Sequence, residues 1–275
     1  MNELSNKELA RTGNLLRRDV LTMVHLAGDG HPGPALSAAD IVAVLYFNVL
    51  RIDPANPGWP LRDRFILSKG HSCPVVYAAL ARRGYFSPDV LPTLRSLGSI
   101  LQGHPVMGKT PGIDMTTGSL GHGLAVGAGM ALAGRMLKRD YHVFVVTGDG
   151  ELNEGIVWEA AQSAANQKLG RLIAFVDYNG YQSGGLLEEV SGMRDIAAKF
   201  AAFGWHTQEI DGHDVAAILA AVDAARKDPR PSVIVARTVK GKGVPFMERD
   251  NSWHKRVPTK EELAKAIECL EAANG

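Results

Sequence analysis

Two apolar runs of this sequence end in oxygen-bearing side chains. Val143–Val146 runs into Thr147-Gly148-Asp149-Gly150, and Leu172–Val176 runs into Asp177-Tyr178-Asn179. Ligands of open parallel sheets bind beyond the carboxyl ends of the strands. If the two runs are neighbouring strands, Asp149 and Asn179 converge on one spot. A carboxylate with an amide oxygen is a hard donor pair, suited to Mg²⁺ or Ca²⁺. Mg²⁺ is commonly held by one or two protein carboxylates, with phosphate oxygens and water completing the octahedron. Gly148 and Gly150 let the backbone approach a phosphate closely, and the N-terminus of a following helix favours an anion. The pattern implies a diphosphate held through a divalent cation. Read as local structure alone, GDG and NG are common turns. An ordinary nucleotide-binding fold is the weaker reading, because the GxGxxG-like string at Gly127-Ala-Gly129 lies inside a helical pattern and follows no strand.

Five histidines stand out, four of them adjoining glycine in breaker-rich sequence: His31 in GDGHPGPALS, His71 in SKGHSCP, His104 in QGHPVMG and His122 in SLGHG, with His254 in NSWHK as the fifth. None pairs with another at zinc-ligand spacing. Acid–base work on hydroxyls and carbonyls near neutral pH fits them better.

These residues need a scaffold, and the sequence supplies one. Ser5-Asn-Lys-Glu8 is a capping-box pattern, followed by Leu9, Leu16, Val20, Met23 and Val24 at helical spacing. Further helices are expected over Ala38–Val49, Val75–Arg83 and Leu124–Lys138. Strand-like runs at Val143–Val146, Leu172–Val176, Trp205–Ile210 and Ser232–Val239 then alternate with helix-like runs at Ile156–Gln167, Asp195–Phe203 and Val215–Arg226. Thr259-Lys-Glu-Glu262 caps a last amphipathic helix reaching about Ala272. Such βα alternation predicts an α/β fold, a parallel sheet in three layers with helices on both faces. Residues 1–275 read as one domain with an N-terminal helical segment and a C-terminal helix. The stretches 100–119 and 240–258 lack periodicity, and loops this long inside a domain are often functional.

The totals exclude several classes. A net charge of +1 gives no general pull toward nucleic acid or membrane. Two distant cysteines, Cys73 and Cys269, build neither a disulfide framework nor a CxxC site. No run approaches membrane-spanning length, and the N-terminus lacks a signal-peptide core. A cytoplasmic protein is expected.

Taken together and in order, GHPGPALSAADIVAVLY, DRFILSKGHSCPVVYAAL, QGHP, TTGSLGHGLAVGAGMALA, GDGELNEGIVWEAA and DYNGYQSGG resemble the N-terminal part of transketolases, over nearly the whole chain. The resemblance implies thiamine diphosphate and Mg²⁺ as cofactors, with Ca²⁺ or Mn²⁺ as possible substitutes. It implies a three-layer diphosphate-binding fold, and transfer of a two-carbon ketol unit from a ketose phosphate to an aldose phosphate. By the same resemblance Asp149, Asn179 and the carbonyl of Tyr181 are the metal ligands. Gly150 and His71 contact the diphosphate, and Gly118, Ser119 and Leu120 support the aminopyrimidine side. His31, His104 and His254 line the substrate channel, move hydroxyl protons and help hold the cofactor. Glu154 matches a glutamate that links two cofactor sites across a subunit interface; near a helix start it could equally complement the dipole. The family's cofactor-activating glutamate and most of its donor-phosphate ligands lie in a following domain. The expectation is therefore the N-terminal subunit of a two-chain transketolase. A separate chain would bring the pyrimidine-binding and C-terminal domains, as an α₂β₂ assembly. The alternatives are a subunit of a 1-deoxyxylulose-phosphate synthase-like or 2-oxo acid dehydrogenase-like enzyme, or a non-catalytic relic that binds the cofactor.

Overall fold

The computed structural model describes residues 3–273. In chain order the elements are α1 (Asn6–Ala27), α2 (Pro32–Ser37), α3 (Ala39–Val44), β1 (Arg64–Leu67), α4 (Cys73–Arg83), α5 (His122–Met136), β2 (Val143–Gly148), α6 (Gly155–Asn166) and β3 (Leu172–Tyr178). They continue with β4 (Tyr181–Gln182), β5 (Gly185–Leu186), α7 (Leu187–Val190), α8 (Ile196–Ala202), β6 (His206–Asp211), α9 (Val215–Lys227), β7 (Ser232–Arg237) and α10 (Lys260–Ala272). A five-stranded sheet runs β1-β2-β3-β7-β6, and each pairing in it is parallel. β4 and β5 form a separate small hairpin.

β2, β3 and β7 are apolar and buried because both faces are covered, whereas the edge strand β6, HTQEID, is polar and partly exposed. Side chains along the strands alternate between two cores, as the period of two demands. Phe65, Leu67, Phe144, Val146, Ile173 and Phe175 pack with α1, α3, α4 and α9. Ile66, Val143, Val145, Leu172, Ala174 and Val176 pack with α5, α6 and α8. Both expected capping boxes form, at Ser5 and at Thr259.

Several boundaries differ from the sequence reading. β1 was not foreseen: RFIL is only four residues long and shows no alternation, since a fully buried strand has none to show. The helix expected over Ala38–Val49 forms as α3 running into a π turn over Leu45–Val49, and a separate short helix, α2, with Pro32 in its first turn, precedes it. α5 starts at His122 because Gly121, at φ 83°, turns the chain into it. β7 stops at Arg237 and the chain leaves the sheet.

One buried polar cluster ties the first core together. Arg17 on α1 donates to Asp40 on α3 at 3.0 and 2.5 Å. His213 Nε2 accepts from the Val239 N–H at 2.9 Å, so its proton sits on Nδ1 and is donated to Asp40 Oδ2 at 2.7 Å. Burial alone would push the Asp40 carboxyl up, but Arg17 and His213 outweigh it and hold the carboxyl below its ordinary value. A depressed folded pKa stabilises above the unfolded value of about 3.9, and this is lost as pH falls through the folded value. Asp40→Asn should therefore lower stability at neutral pH, by about 3 kcal/mol for a broken buried pair. It should also flatten the acid limb of stability against pH. Urea unfolding across that limb measures both, and an unchanged acid slope would contradict the assignment.

Candidate functional site

β2 and β3 are neighbours in register, Gly148 opposite Asp177. The turns that leave them therefore meet. Asp149 accepts from its neighbour's N–H at Gly150, 2.8 Å, and from Gly180 N–H across the gap, 2.6 Å. Asn179 Oδ1 in turn accepts from Tyr181 N–H at 3.1 Å. A Cβ added at Gly150 would stand 2.7 Å from Cβ of Gln182, so only glycine lets β4 close against the GDG turn. Asp149 is almost fully buried. Burial and the nearby Asp177 push its carboxyl up to about 7, against the opposing pull of the two N–H groups and Lys69.

Beneath Asp149 lies an ion pair that neighbours in sequence could not reveal. Lys69, two residues past the end of β1, contacts the Asp177 carboxylate and donates to Pro34 O at 2.6 Å. Asp177 also accepts from Ser37 Oγ at 2.5 Å and from the Thr238 hydroxyl. Both charged side chains are out of solvent. Asp177 ends its strand just as Asp149 does, yet it faces inward and is neutralised. A parallel clasp holds the other wall. Buried Glu151 accepts from the Ser68 hydroxyl, from Gly121 N–H at 2.7 Å and from Gly148 N–H at 3.0 Å. Burial pushes the Glu151 carboxyl up.

These walls enclose a cleft of about 490 Å³ at the carboxyl ends of the strands. His31, His71, His104, His254, Gly118, Leu120, Asp149, Gly150, Glu154, Asn179 and Tyr181 all line it. Ser119 does not line it and is exposed. His122 is exposed too, on the first turn of α5 outside the cleft, so it parts company with the other four histidines. Glu154 sits exposed on the rim, at the N-cap position of α6.

The rings of His31, His71 and His254 cluster, with centroids 5.1, 5.4 and 5.5 Å apart. Burial lowers each of them: His31 to about 4, with Arg95 and Lys255 adding to the shift; His71 to about 2, with Lys69; His254 to about 4, with Lys240. Burial and Arg95 lower His104. These imidazoles are neutral at neutral pH, each with one N–H to give and one lone pair to accept a proton. Nδ1 of His31 is buried without a partner, a polar atom that a ligand would satisfy.

The sequence reading passed over Lys240. It is buried, with Nζ 2.5 Å from Asn251 Oδ1 and 3.1 Å from His254 Nδ1. Burial lowers it to about 8, against the pull of Asp149. Its signal was faint: one lysine in an aperiodic stretch after the last strand. Another string needs correction. GHPVMGKT, residues 103–110, has the spacing of a phosphate-binding P-loop, which the reading against a nucleotide fold overlooked. It follows no strand and opens no helix, and the Thr110 hydroxyl is spent on Ile100 O at 2.5 Å. It is not a P-loop.

Among the described residues no cluster of three or more His, Cys, Asp or Glu could hold a metal ion. A cation here would need the Asp149 carboxylate, amide and carbonyl oxygens, and oxygens of the ligand itself. That donor set suits Mg²⁺ bound together with a phosphate. The lysine and neutral histidines around it suit the phosphate oxygens.

Comparison with known proteins agrees with this chemistry. The family model for transketolase, thiamine diphosphate binding domain, matches residues 6–270. The chain is 44% identical over 265 residues to the 6-deoxy-6-sulfo-D-fructose transketolase subunit SqwG of Clostridium sp. (strain MSTE9), covering 96% of each. It is 40% identical to an apulose-4-phosphate transketolase subunit of Phocaeicola vulgatus, covering 91% of this chain and 89% of that one. The transketolase of Campylobacter jejuni superposes with a TM-score of 0.93 at 32% identity, over 98% of this chain but 43% of that one.

Proposed function

Because this chain belongs to the transketolase family through its thiamine diphosphate binding domain, we propose that it is the N-terminal subunit of a two-chain transketolase. It would move a two-carbon ketol unit from a ketose phosphate, or a related anionic ketose, to an aldose phosphate. The observation that carries this reading is the joining of a hard-oxygen end, Asp149 and Asn179, to a cluster of neutral histidines in one cleft. The relatives' names support the two-chain arrangement: SqwG and the Phocaeicola protein are each named as one subunit of a transketolase. In this reading the partner brings the pyrimidine-binding and C-terminal domains in an α₂β₂ assembly, and residues 1–275 are one cofactor-binding domain. Two free cysteines fit a cytoplasmic location. No helix among the described residues is long and apolar enough to cross a membrane.

Thiamine diphosphate, when bound, supplies an electron sink for breaking the bond beside a ketose carbonyl. Asp149, Asn179 and the Tyr181 carbonyl would hold Mg²⁺ on its diphosphate, with Gly150, His71 and Lys240 against the phosphate oxygens. Gly118, Ser119 and Leu120 would support the aminopyrimidine side. His31, His104 and His254 accept and return hydroxyl protons of the sugar, which neutral imidazoles can do without first losing one. With the partner closing over the cleft, its walls would keep water from the reacting atoms. Glu154, exposed on the rim, would reach a second copy.

The test is ketol transfer by the chain mixed with its partner, where neither chain alone should turn over. In that assembly His104→Ala should lower kcat by about 100-fold, the lower end of a general acid–base contribution. Cofactor affinity should stay within about 3-fold, well under the tenfold that 1.4 kcal/mol makes. A loss of affinity without loss of kcat would move His104 to a binding role.

A further inference from the structure

The segments bearing three of the cleft histidines are tied together outside the rings. Asp29 precedes His31 by two residues, and Lys255 follows His254 directly. Arg95 Nη1 lies 3.0 Å from Asp29 Oδ2, and Lys255 Nζ lies 3.9 Å from Asp29 Oδ1. A Cβ added at Gly103 would stand 2.7 Å from Arg95 Cζ, so the guanidinium rests on the residue before His104. The charge of Arg95 is felt at both His31 and His104. Two cations thus share one carboxylate beside the histidine cluster, just outside the lining of the cleft.

Two features set this pair apart from a structural one. Arg95 holds a left-handed backbone at φ 62°, a conformation that costs a non-glycine residue about 1–2 kcal/mol. Its N–H is fixed there by Leu101 O at 2.8 Å. The side chains also remain open to solvent, Arg95 at 27% and Asp29 at 42%. A pair so exposed contributes about 0–1 kcal/mol to stability, so the strained backbone is not offset by a strong ion pair. The guanidinium is a planar fork of donors that fits a tetrahedral oxyanion.

We infer that Arg95, helped by Lys255, recognises the terminal oxyanion of the sugar substrate, a phosphate or a sulfonate, and that Asp29 occupies the guanidinium until the substrate displaces it. This rests on the ketol-transfer reading and makes Arg95 a specificity residue of that site. The partner's own phosphate contacts would act beside it.

The experiment uses the assembled, cofactor-loaded enzyme with a ketose phosphate, a sulfonated ketose and an uncharged ketose. Arg95→Met should raise KM for the preferred anionic ketose about 10- to 100-fold, the worth of a charged hydrogen bond. Its kcat should stay near wild type, and kcat/KM for the uncharged ketose should not move. Asp29→Asn should act with the opposite sign and lower the anionic KM. Whichever anionic ketose loses more identifies the natural oxyanion. Equal losses on charged and uncharged ketoses would make Arg95 a support for the histidines and overturn the inference, as would an unchanged anionic KM. Calorimetric titration with the same three sugars reads the preference without turnover. An assembly that transfers no ketol unit from any of them would defeat the functional reading, while the titration still decides the role of Arg95.

Discussion

Asp149→Ala in the assembled enzyme should weaken thiamine diphosphate binding in Mg²⁺ by at least about 100-fold, since loss of even an outer-shell partner of a metal costs 10- to 100-fold. The residual binding should no longer respond to Mg²⁺. The reason is local. Asp149 meets Asn179 at the cleft floor, while the Glu151 carboxylate that also lines the cleft is taken up by Ser68, Gly121 and Gly148. The fold should survive, because two effects oppose each other. Removing the carboxylate leaves the Gly150 and Gly180 N–H groups without their acceptor, at about 1–3 kcal/mol each where water cannot reach. It also relieves the crowding of one buried carboxylate on another at Asp177. Asp149→Asn keeps an acceptor of the same shape while losing the charge, so it separates metal binding from stability. Titration calorimetry with and without Mg²⁺ checks both variants. Normal Mg²⁺-dependent binding by Asp149→Asn and Asp149→Ala would remove the metal assignment.

Lys69→Met should be the most destabilising single change in the cleft wall. It leaves the Asp177 carboxylate at 0% exposure with the Ser37 and Thr238 hydroxyls and the Asn179 amide as its hydrogen-bond partners. Breaking a buried ion pair by removing one partner costs about 3–5 kcal/mol, because the other charge stays buried and uncompensated. For a chain of this size that corresponds to a fall in Tm of roughly 6–20 °C. The double variant Lys69→Met with Asp177→Asn carries no stranded charge and should recover more than half of the loss. Differential scanning calorimetry of the two variants makes the comparison. A single variant within about 1 kcal/mol of wild type, the usual range for exposed pairs, would mean that the pair is not the strut described here.

The sheet and the Asp149–Asn179 meeting point were legible because both depend on short-range pattern. An apolar run followed by GDG or YNG marks a strand end, and a parallel sheet gathers strand ends on one side. β1 was hidden because four apolar residues carry no period. The charged strut was hidden for another reason. Lys69 and Asp177 are 108 residues apart, and no spacing rule links them. Asp177 and Asn179 looked alike as strand-end oxygens. Two residues apart, they would share a face if the strand ran on; β3 ends at Tyr178, and the turn at Asn179-Gly180, with Gly180 at φ 80°, carries Asn179 to the cleft while Asp177 points under the floor. His122 follows glycine just as His31, His71 and His104 do, and it could not be told from them until α5 was seen to start on it. Arg95 had no sequence signal at all. Its place depends on a left-handed turn that propensity would give to glycine.

The most direct test of the two-chain reading is a native mass spectrum. The chain is tagged in its own host and purified gently with Mg²⁺ and thiamine diphosphate. The account predicts a complex with a second, different chain, in equal numbers, with cofactor retained. The chain alone, or a homodimer without cofactor, would contradict it.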